Sequence, residues 1–350
     1  MTICYTGDYN PSYPRHRVII RGLRESGVTV IEAPLPRKGF SKYIRLVRAM
    51  MRNRRADVFF FGYSDSRIVW LARIFTGKPI LWDAFYSLYD NWVFDRKLAR
   101  PGSLKANYYW FLDWICCRSA TVVILDTDAN IDYFRRTFHL PNKKFLRVLI
   151  GADDTVMVPR PKDPNEQRFI VEFHGNYIPV HGIEYIVQAA KLLEAQADIH
   201  FVMIGEGQEH EKILAMARES KLSNMTFYPL VPYEQLPVWI ANADVCLGLL
   251  GDLDRSGRAI PNKVYEASAM ERASINRDGP AIRELYTDGT DISYCRAGDA
   301  QDIADKILKL KNNPELRASI ARNARELYMH NGTPRAVGAG IKNMLEKQYV

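Results

Sequence analysis

The stretch RFIVEFHGNYIPVHGIEYIVQAA, residues 168–190, opens with a β-branched and aromatic run that stops at Gly175. A short loop carrying Asn176 and His181 follows, and from Gly182-Ile183 the apolar positions recur at helical spacing. Strand, glycine-bearing loop and helix in that order make one α/β unit.

The same unit recurs along the chain. In the first half TICYTG, VTVIEA, DVFFFG, PILWDA, TVVILDT and FLRVLIG read as strands, with helical periodicity over Arg15 to Ser26, Phe40 to Arg55 and Ser103 to Ala120. In the second half RFIVEFHG, IHFVMIG, MTFYP, DVCLGLL, RASIN and DISYC alternate with helices expected from about Ile183, Gln208, Tyr233, Asn262, Ala281 and Ala300. A last helical stretch, Glu315 to Tyr349, is broken near Gly332-Thr333-Pro334. Strands alternating with helices predict parallel sheets covered on both faces. A length of 350 residues exceeds the roughly 250–300 at which one core stops growing. The expectation is two Rossmann-like α/β domains facing a central cleft, with ligand at the carboxyl ends of the strands. DDTVMVPRPKDPNEQ, residues 153–167, holds three prolines and reads as a pause between them. The boundaries that follow are 1–155, a linker at 156–167, 168–330, and a helix at 331–350 that could return to the first domain.

Hydrophobic residues make up 47% and charged residues 25%, an ordinary globular balance, and no apolar run approaches the ~20 residues that span a bilayer. Five cysteines at scattered spacings, with no secretory signal ahead of them, fit buried thiols in a reducing compartment, so a cytoplasmic setting is expected. Residues 1–150 carry 25 Lys+Arg against 12 Asp+Glu, and the remainder 23 against 28. This asymmetry points one half at an anionic partner, although a plain basic surface would read alike.

AIPNKVYEASAM, residues 259–270, is the most informative site motif. Pro261 suits a first helical turn, the free amides near Asn262, Lys263 and Val264 suit an anion, and Lys263 supplies a point charge. One turn on, Glu266 could accept from the paired hydroxyls of a ribose. A capped surface helix with an i,i+3 ion pair is the plainer reading. Gly175, Asn176 and His181 could approach a phosphate, or be an ordinary loop. Gly205-Glu206-Gly207 fails as a dinucleotide fingerprint, because the third glycine is missing, but could line a cleft.

FHGNYIPVHGIEYI, VMIGEGQE, LVPYEQLPVWIANADVCLG, PNKVYEASAM and GPAIRELYTDG, in this order over about residues 169–330, resemble the C-terminal domain of retaining glycosyltransferases of the GT-B fold, family 4. YTGDYNPSYPRHRVIIRGL is similar to the first strand and acceptor-side loop of that fold, which places Gly7, Asp8, Tyr9 and Asn10 on the acceptor side. The resemblance implies that Glu266 holds the donor ribose, that Lys263 and Asn262 lie beside the diphosphate, and that Leu230, Val231 and Pro232 meet the base. It puts Gly175, Asn176 and His181 on a loop where many members carry an arginine and a lysine, so phosphate binding here falls to neutral donors, Lys263, and Arg255 or Arg258. Where many members have a glutamate eight residues before Glu266, this chain has Arg258. Asp83, just beyond a strand where relatives use a histidine, becomes a candidate for sugar contact or charge stabilisation, the alternative being a helix cap. Glu271 stands where the family often has a small residue.

The resemblance further implies front-face transfer with retention, the leaving diphosphate being stabilised electrostatically. Asp126-Thr127-Asp128 and Asp252-Leu253-Asp254 could each hold a divalent ion. GT-B enzymes resemble one another in managing without bound metal, so no metal is expected to be required.

GFSKYIRLVRAMMRNRR places Lys42, Arg45, Arg48, Arg52 and Arg55 on one helical face and Ile44, Val47 and Met51 on another. A basic amphipathic helix of this kind suits an anionic membrane surface. NYYWFLDWICC, residues 107–117, could add aromatic anchors or fill the core. No nucleic-acid recognition module is found. The functional expectation is a glycosyltransferase taking a nucleotide-diphosphate sugar and a lipid-linked or glycolipid acceptor, peripheral on the inner face of the plasma membrane. A nucleotide-sugar epimerase of the same fold, or a degenerate binding or scaffold protein, are the alternatives.

Overall fold

A computed structural model describes residues 1–63 and 66–349. The chain divides into two compact units, one of residues 1–150 with 333–350 and one of residues 151–332.

The first unit is a six-stranded sheet of β1 (Thr2–Gly7), β2 (Thr29–Pro34), β3 (Val58–Phe61), β4 (Ile80–Asp83), β5 (Val122–Leu125) and β6 (Phe145–Arg147). Its order is β2-β1-β3-β4-β5-β6, every pair parallel. Strands β3, β4 and β5 are buried along their whole length, which is why they read as continuous apolar runs. Helices α1 (Pro14–Glu25), α2 (Ser41–Arg52), α3 (Ser66–Phe75), the single turn α4 (Leu88–Asp90), α5 (Leu104–Ser119) and α6 (Asp128–Phe138) connect them. Helix α3 is apolar nearly all round, with Ile68, Val69 and Ala72 buried and Trp70, Ile74 and Phe75 exposed, so it shows no periodicity from which to expect it.

The second unit contains β7 (Phe169–His174), β8 (Ile199–Ile204), β9 (Met225–Tyr228), β10 (Val245–Leu247), β11 (Ala273–Arg277) and β12 (Ser293–Cys295), in the order β12-β11-β10-β7-β8-β9, all parallel. Its helices are α7 (Ile183–Leu192), α8 (His210–Glu219), α9 (Leu236–Asn242), α10 (Asn262–Ala269), α11 (Ala300–Asn312) and α12 (Pro314–Asn331). The chain winds outward from β7 to β9, then restarts at β10 on the other side of β7. The crevice between β7 and β10 is therefore the topological switch point of this sheet, where open α/β sheets bind ligands.

Helix α13 (Pro334–Tyr349) belongs to the first unit. Its Val337, Ile341 and Leu345 join Ile20 and Leu23 of α1 in one core. The two helices touch through glycines, since a Cβ on Gly22 would fall on the backbone of Pro334 and one on Gly338 on the backbone of Gly22.

Two expectations are corrected. Residues 156–167 are not a free linker but are fastened inside the second unit. Met157 is buried, Lys162 Nζ donates to Asp244 at 2.6 Å, and the Asp163 amide donates to Asn242 Oδ1 at 2.9 Å. The helix expected from Ala281 is one 3-10 turn, Ile282–Glu284. All five cysteines are buried and free.

Candidate functional site

The parallel strands of the second unit deliver the loops after β7, β8, β9 and β10 to one end of the sheet. At the switch point the loop after β7 and the loop after β10 are laced together. Leu250 N donates to His181 O at 3.1 Å and Ser256 Oγ to Val180 O at 2.8 Å. Gly182 has φ 65°, and a Cβ there would strike the backbone of Gly251. Arg277, at the end of β11, donates through Nη1 to Gly251 O at 3.1 Å and Leu253 O at 2.9 Å, so the loop carrying Arg255 and Arg258 is held from beneath. The Gly205-Glu206-Gly207 turn backs the β7 loop by main chain: Tyr177 N donates to Glu206 O at 2.8 Å, while the Glu206 side chain is exposed.

Helix α10 starts at this crevice with Pro261 at its N-cap rather than in its first turn. Lys263 and Glu266 are both buried. The ammonium of Lys263 lies 3.8 Å from the centroid of the Phe173 ring and has no hydrogen-bond partner among the described residues. Gly175, at φ 142°, leaves room for it, since a Cβ there would come within 3.1 Å of Lys263 Nζ. Burial pulls the Lys263 pKa down to about 7, against the pull of Glu172 and Glu266. His181 is driven well below its ordinary value by burial and by Lys263, so it is a neutral imidazole.

Two residues of the site were not anticipated. Glu172 and His174 alternate on one face of β7, and His174 bridges two carboxylates: Nδ1 lies 2.7 Å from Glu172 Oε1 and Nε2 lies 2.8 Å from Glu266 Oε2. Burial opposes a charge on His174, but the two carboxylates prevail and raise it to about 9. A Glu-x-His pair inside an otherwise apolar strand is a signal that FIVEFH carries openly. The bridge fixes one oxygen of Glu266 and so sets the orientation of that side chain.

The other expected residues fall around this centre. Asn262 opens α10 and is half-buried, and Asn176 is exposed in the β7 loop. Arg258 is buried, with Nε donating to Asp254 at 2.8 Å. Val231 packs with Tyr228 and Trp239 on Ile170, Val202 and Ile204, while Leu230 and Pro232 are exposed after β9. At this centre Lys263 offers a charge to an anion and Glu266 an acceptor to a hydroxyl.

In the first unit the structure corrects two placements. Asp83 has no exposed surface, and both its oxygens are taken by the equally buried Arg15, Nε at 2.7 Å and Nη2 at 2.8 Å. Its carboxylate completes an internal ion pair instead of facing a sugar. Lys42 is buried and lies 3.7 Å from Asp8, so it is not on the exposed basic face, which keeps Arg45, Arg48, Arg52 and Arg55. Of the other acceptor-side residues, Gly7 takes φ 120°, Tyr9 donates to Glu32 at 3.3 Å and Asn10 Oδ1 accepts from Ser12 N at 3.2 Å. Asp126-Thr127-Asp128 is the cap of α6, Thr127 accepting from Asn130 N at 3.1 Å and Asp126 from Asn130 Nδ2 at 2.7 Å. No three His, Cys, Asp or Glu side chains among the described residues are grouped to hold a metal ion.

The chain is similar to an α-D-kanosaminyltransferase of Streptomyces kanamyceticus, 26% identical over 221 residues, 60% of this chain and 56% of the relative. It spans about half the length of the curated relatives it matches. Among solved structures, sucrose-phosphate synthase of Thermosynechococcus elongatus superposes with a TM-score of 0.80 at 14% identity, covering 99% of both chains. Anabaena HepE in complex with UDP-glucose superposes at 0.77 with 12% identity, covering 99% of this chain and 100% of that one. These likenesses show the fold to be GT-B. Residues 158–327 match the model of the glycosyl transferases group 1.

Proposed function

We propose that the protein is a retaining hexosyltransferase that moves a sugar from a nucleoside-diphosphate donor to a lipid-linked or glycolipid acceptor, building a cell-surface polysaccharide or glycolipid. The observation that carries the donor half is the head of α10 at the β7/β10 crevice, where a buried ammonium without a hydrogen-bond partner among the described residues precedes by three residues a carboxylate oriented by His174. A diphosphate satisfies Lys263, and the ribose hydroxyls satisfy Glu266. The bound UDP-glucose of the Anabaena protein and the sugar-transfer name of the Streptomyces relative support the same reading.

In this reading the chain's own groups do little covalent chemistry. Lys263, the α10 amides and a neutral His181 stabilise the charge that builds on the departing diphosphate, and no bound metal is needed for that. The acceptor hydroxyl attacks on the face the diphosphate leaves and gives its proton to the departing diphosphate, so the sugar–phosphate bond is exchanged for the new glycosidic bond and the anomeric configuration is kept. No helix among the described residues is long and apolar enough to cross a membrane, and a lipid-borne acceptor would be met through the arginines of α2 at the inner leaflet.

Titration calorimetry with UDP, GDP, ADP and their sugar conjugates, in EDTA and again with magnesium, tests the donor half. Tight binding of one nucleotide in EDTA is expected. Binding of none overturns the reading, and binding only with magnesium overturns its metal independence.

A further inference from the structure

A groove of about 510 Å³ opens in the first unit between strand β2 and helix α2. Strand β2 is the edge of its sheet, so its outer backbone faces this groove without a neighbouring strand. Ile31, Leu35 and Ala49 supply apolar wall, and Arg45, Arg48 and Arg52 line it from successive turns of α2. None of these three arginines makes an ion pair or hydrogen bond with another described residue. The single carboxylate in the lining, Glu32, is already held by Arg24 at 2.8 Å and by Tyr9 at 3.3 Å. Three guanidinium groups without a counter-charge repel one another, and an anion bridging them removes that cost. Their planar donor forks match phosphate oxygens.

A second observation identifies the carrier of the phosphate. Helix α2 packs on its sheet through Lys42, Leu46 and Met50. At 100° per residue, Ile44 and Met51 lie about a quarter turn from the arginine stripe, and neither is covered: Ile44 is 47% exposed, Met51 68% and the preceding Phe40 76%. A free phosphate leaves this apolar ridge in water, whereas a bilayer covers ridge and stripe together.

We propose that the β2/α2 groove is a binding site for the phosphate of an anionic lipid headgroup, seated while Phe40, Ile44 and Met51 enter the acyl boundary beside it. The inference rests on the membrane part of the function proposed above and is independent of the donor site.

The test uses the full chain and sedimentation with phosphatidylcholine vesicles, with and without one part in five of phosphatidylglycerol. Two double variants remove equal charge, Arg48→Gln with Arg52→Gln in the groove and Lys97→Gln with Arg100→Gln, both exposed in the same unit but away from α2 and outside the lining. At ~1 kcal/mol per basic residue near acidic lipid, the groove pair should weaken binding to phosphatidylglycerol vesicles by about thirtyfold, and the outer pair by about threefold or less. Equal losses in the two variants would show diffuse charge attraction and overturn the groove. Saturable binding of glycerol 3-phosphate without vesicles, lost in the groove pair, would assign the groove to a soluble phosphate and overturn the lipid. Nucleotide titration of the same proteins keeps the readings apart: the donor site fails only if the unsubstituted chain binds no nucleotide, whatever the vesicles show.

Discussion

Lys263 is buried beside Glu172, Glu266 and a protonated His174, yet its ammonium hydrogen-bonds to none of them. With its pKa pulled to about 7 by burial, it is partly neutral in the empty site at pH 8. A diphosphate brings negative charge to it and raises that pKa, so binding above pH 7 takes up a proton. The linkage has a definite sign. Below the free-state value Lys263 is charged with or without ligand and affinity is flat from this group, whereas above it affinity falls, by at most about tenfold per pH unit, until the bound-state value is passed. Calorimetry of nucleotide binding at pH 8 in PIPES and in Tris should give enthalpies that differ by the proton uptake, and Lys263→Met should abolish the difference; equal enthalpies in the unsubstituted chain would detach Lys263 from the diphosphate. Asp83 is argued at the same scale. Its two hydrogen bonds to a buried arginine mean that Asp83→Asn leaves a guanidinium facing a neutral amide, a loss of about 3 kcal/mol in a denaturant melt. Unchanged stability with lost turnover would instead return Asp83 to the substrate.

Helix α10 shows what a sequence motif can and cannot disclose. PNKVYEASAM named its start, its ammonium and its carboxylate, because local chemistry at a helix end is written in adjacent residues. The bridge that holds Glu266 was out of reach of that motif, since its other two members come from β7, 92 positions away at His174. Asp83 was misjudged for the same reason, its partner Arg15 lying 68 positions distant. Strand and helix alternation was legible wherever one face of an element is buried, and failed at α3, whose apolar residues lie on its buried and exposed sides alike. The turn that ends α10 is a further case of local chemistry. Glu271 follows α10 with φ 55°, the left-handed conformation in which helices usually end on glycine. Glu271→Gly should therefore raise stability by about 1 kcal/mol, read as a higher melting midpoint with nucleotide affinity unchanged. A lower midpoint would mean that the glutamate side chain itself holds the turn after α10.

At the scale of the molecule, the first unit is assembled from both ends of the chain while the second is continuous, and Lys263, Glu266, Glu172 and His174, the residues proposed to hold the donor, all lie in the second. The first sheet is complete by Ile150, but its core is not, because Val337, Ile341 and Leu345 of α13 cover α1. Close approach of these helices depends on Gly22 and Gly338, where any Cβ meets opposing backbone. Backbone cannot yield as a side-chain tip can, so Gly338→Val must push α13 off α1 and expose buried isoleucine and leucine. Separation of the two helices removes the packing of several large apolar side chains, each worth about 2–5 kcal/mol in a core. The expected outcome is a first unit that exchanges its amide hydrogens rapidly over α1 and β1 and loses vesicle binding, alongside a second unit whose protection and nucleotide affinity match the unsubstituted chain. Hydrogen exchange read by mass spectrometry with calorimetry on the same sample decides it. Loss of protection in both units would show that they fold as one cooperative body and that α13 stabilises the donor site as well as the sheet it covers.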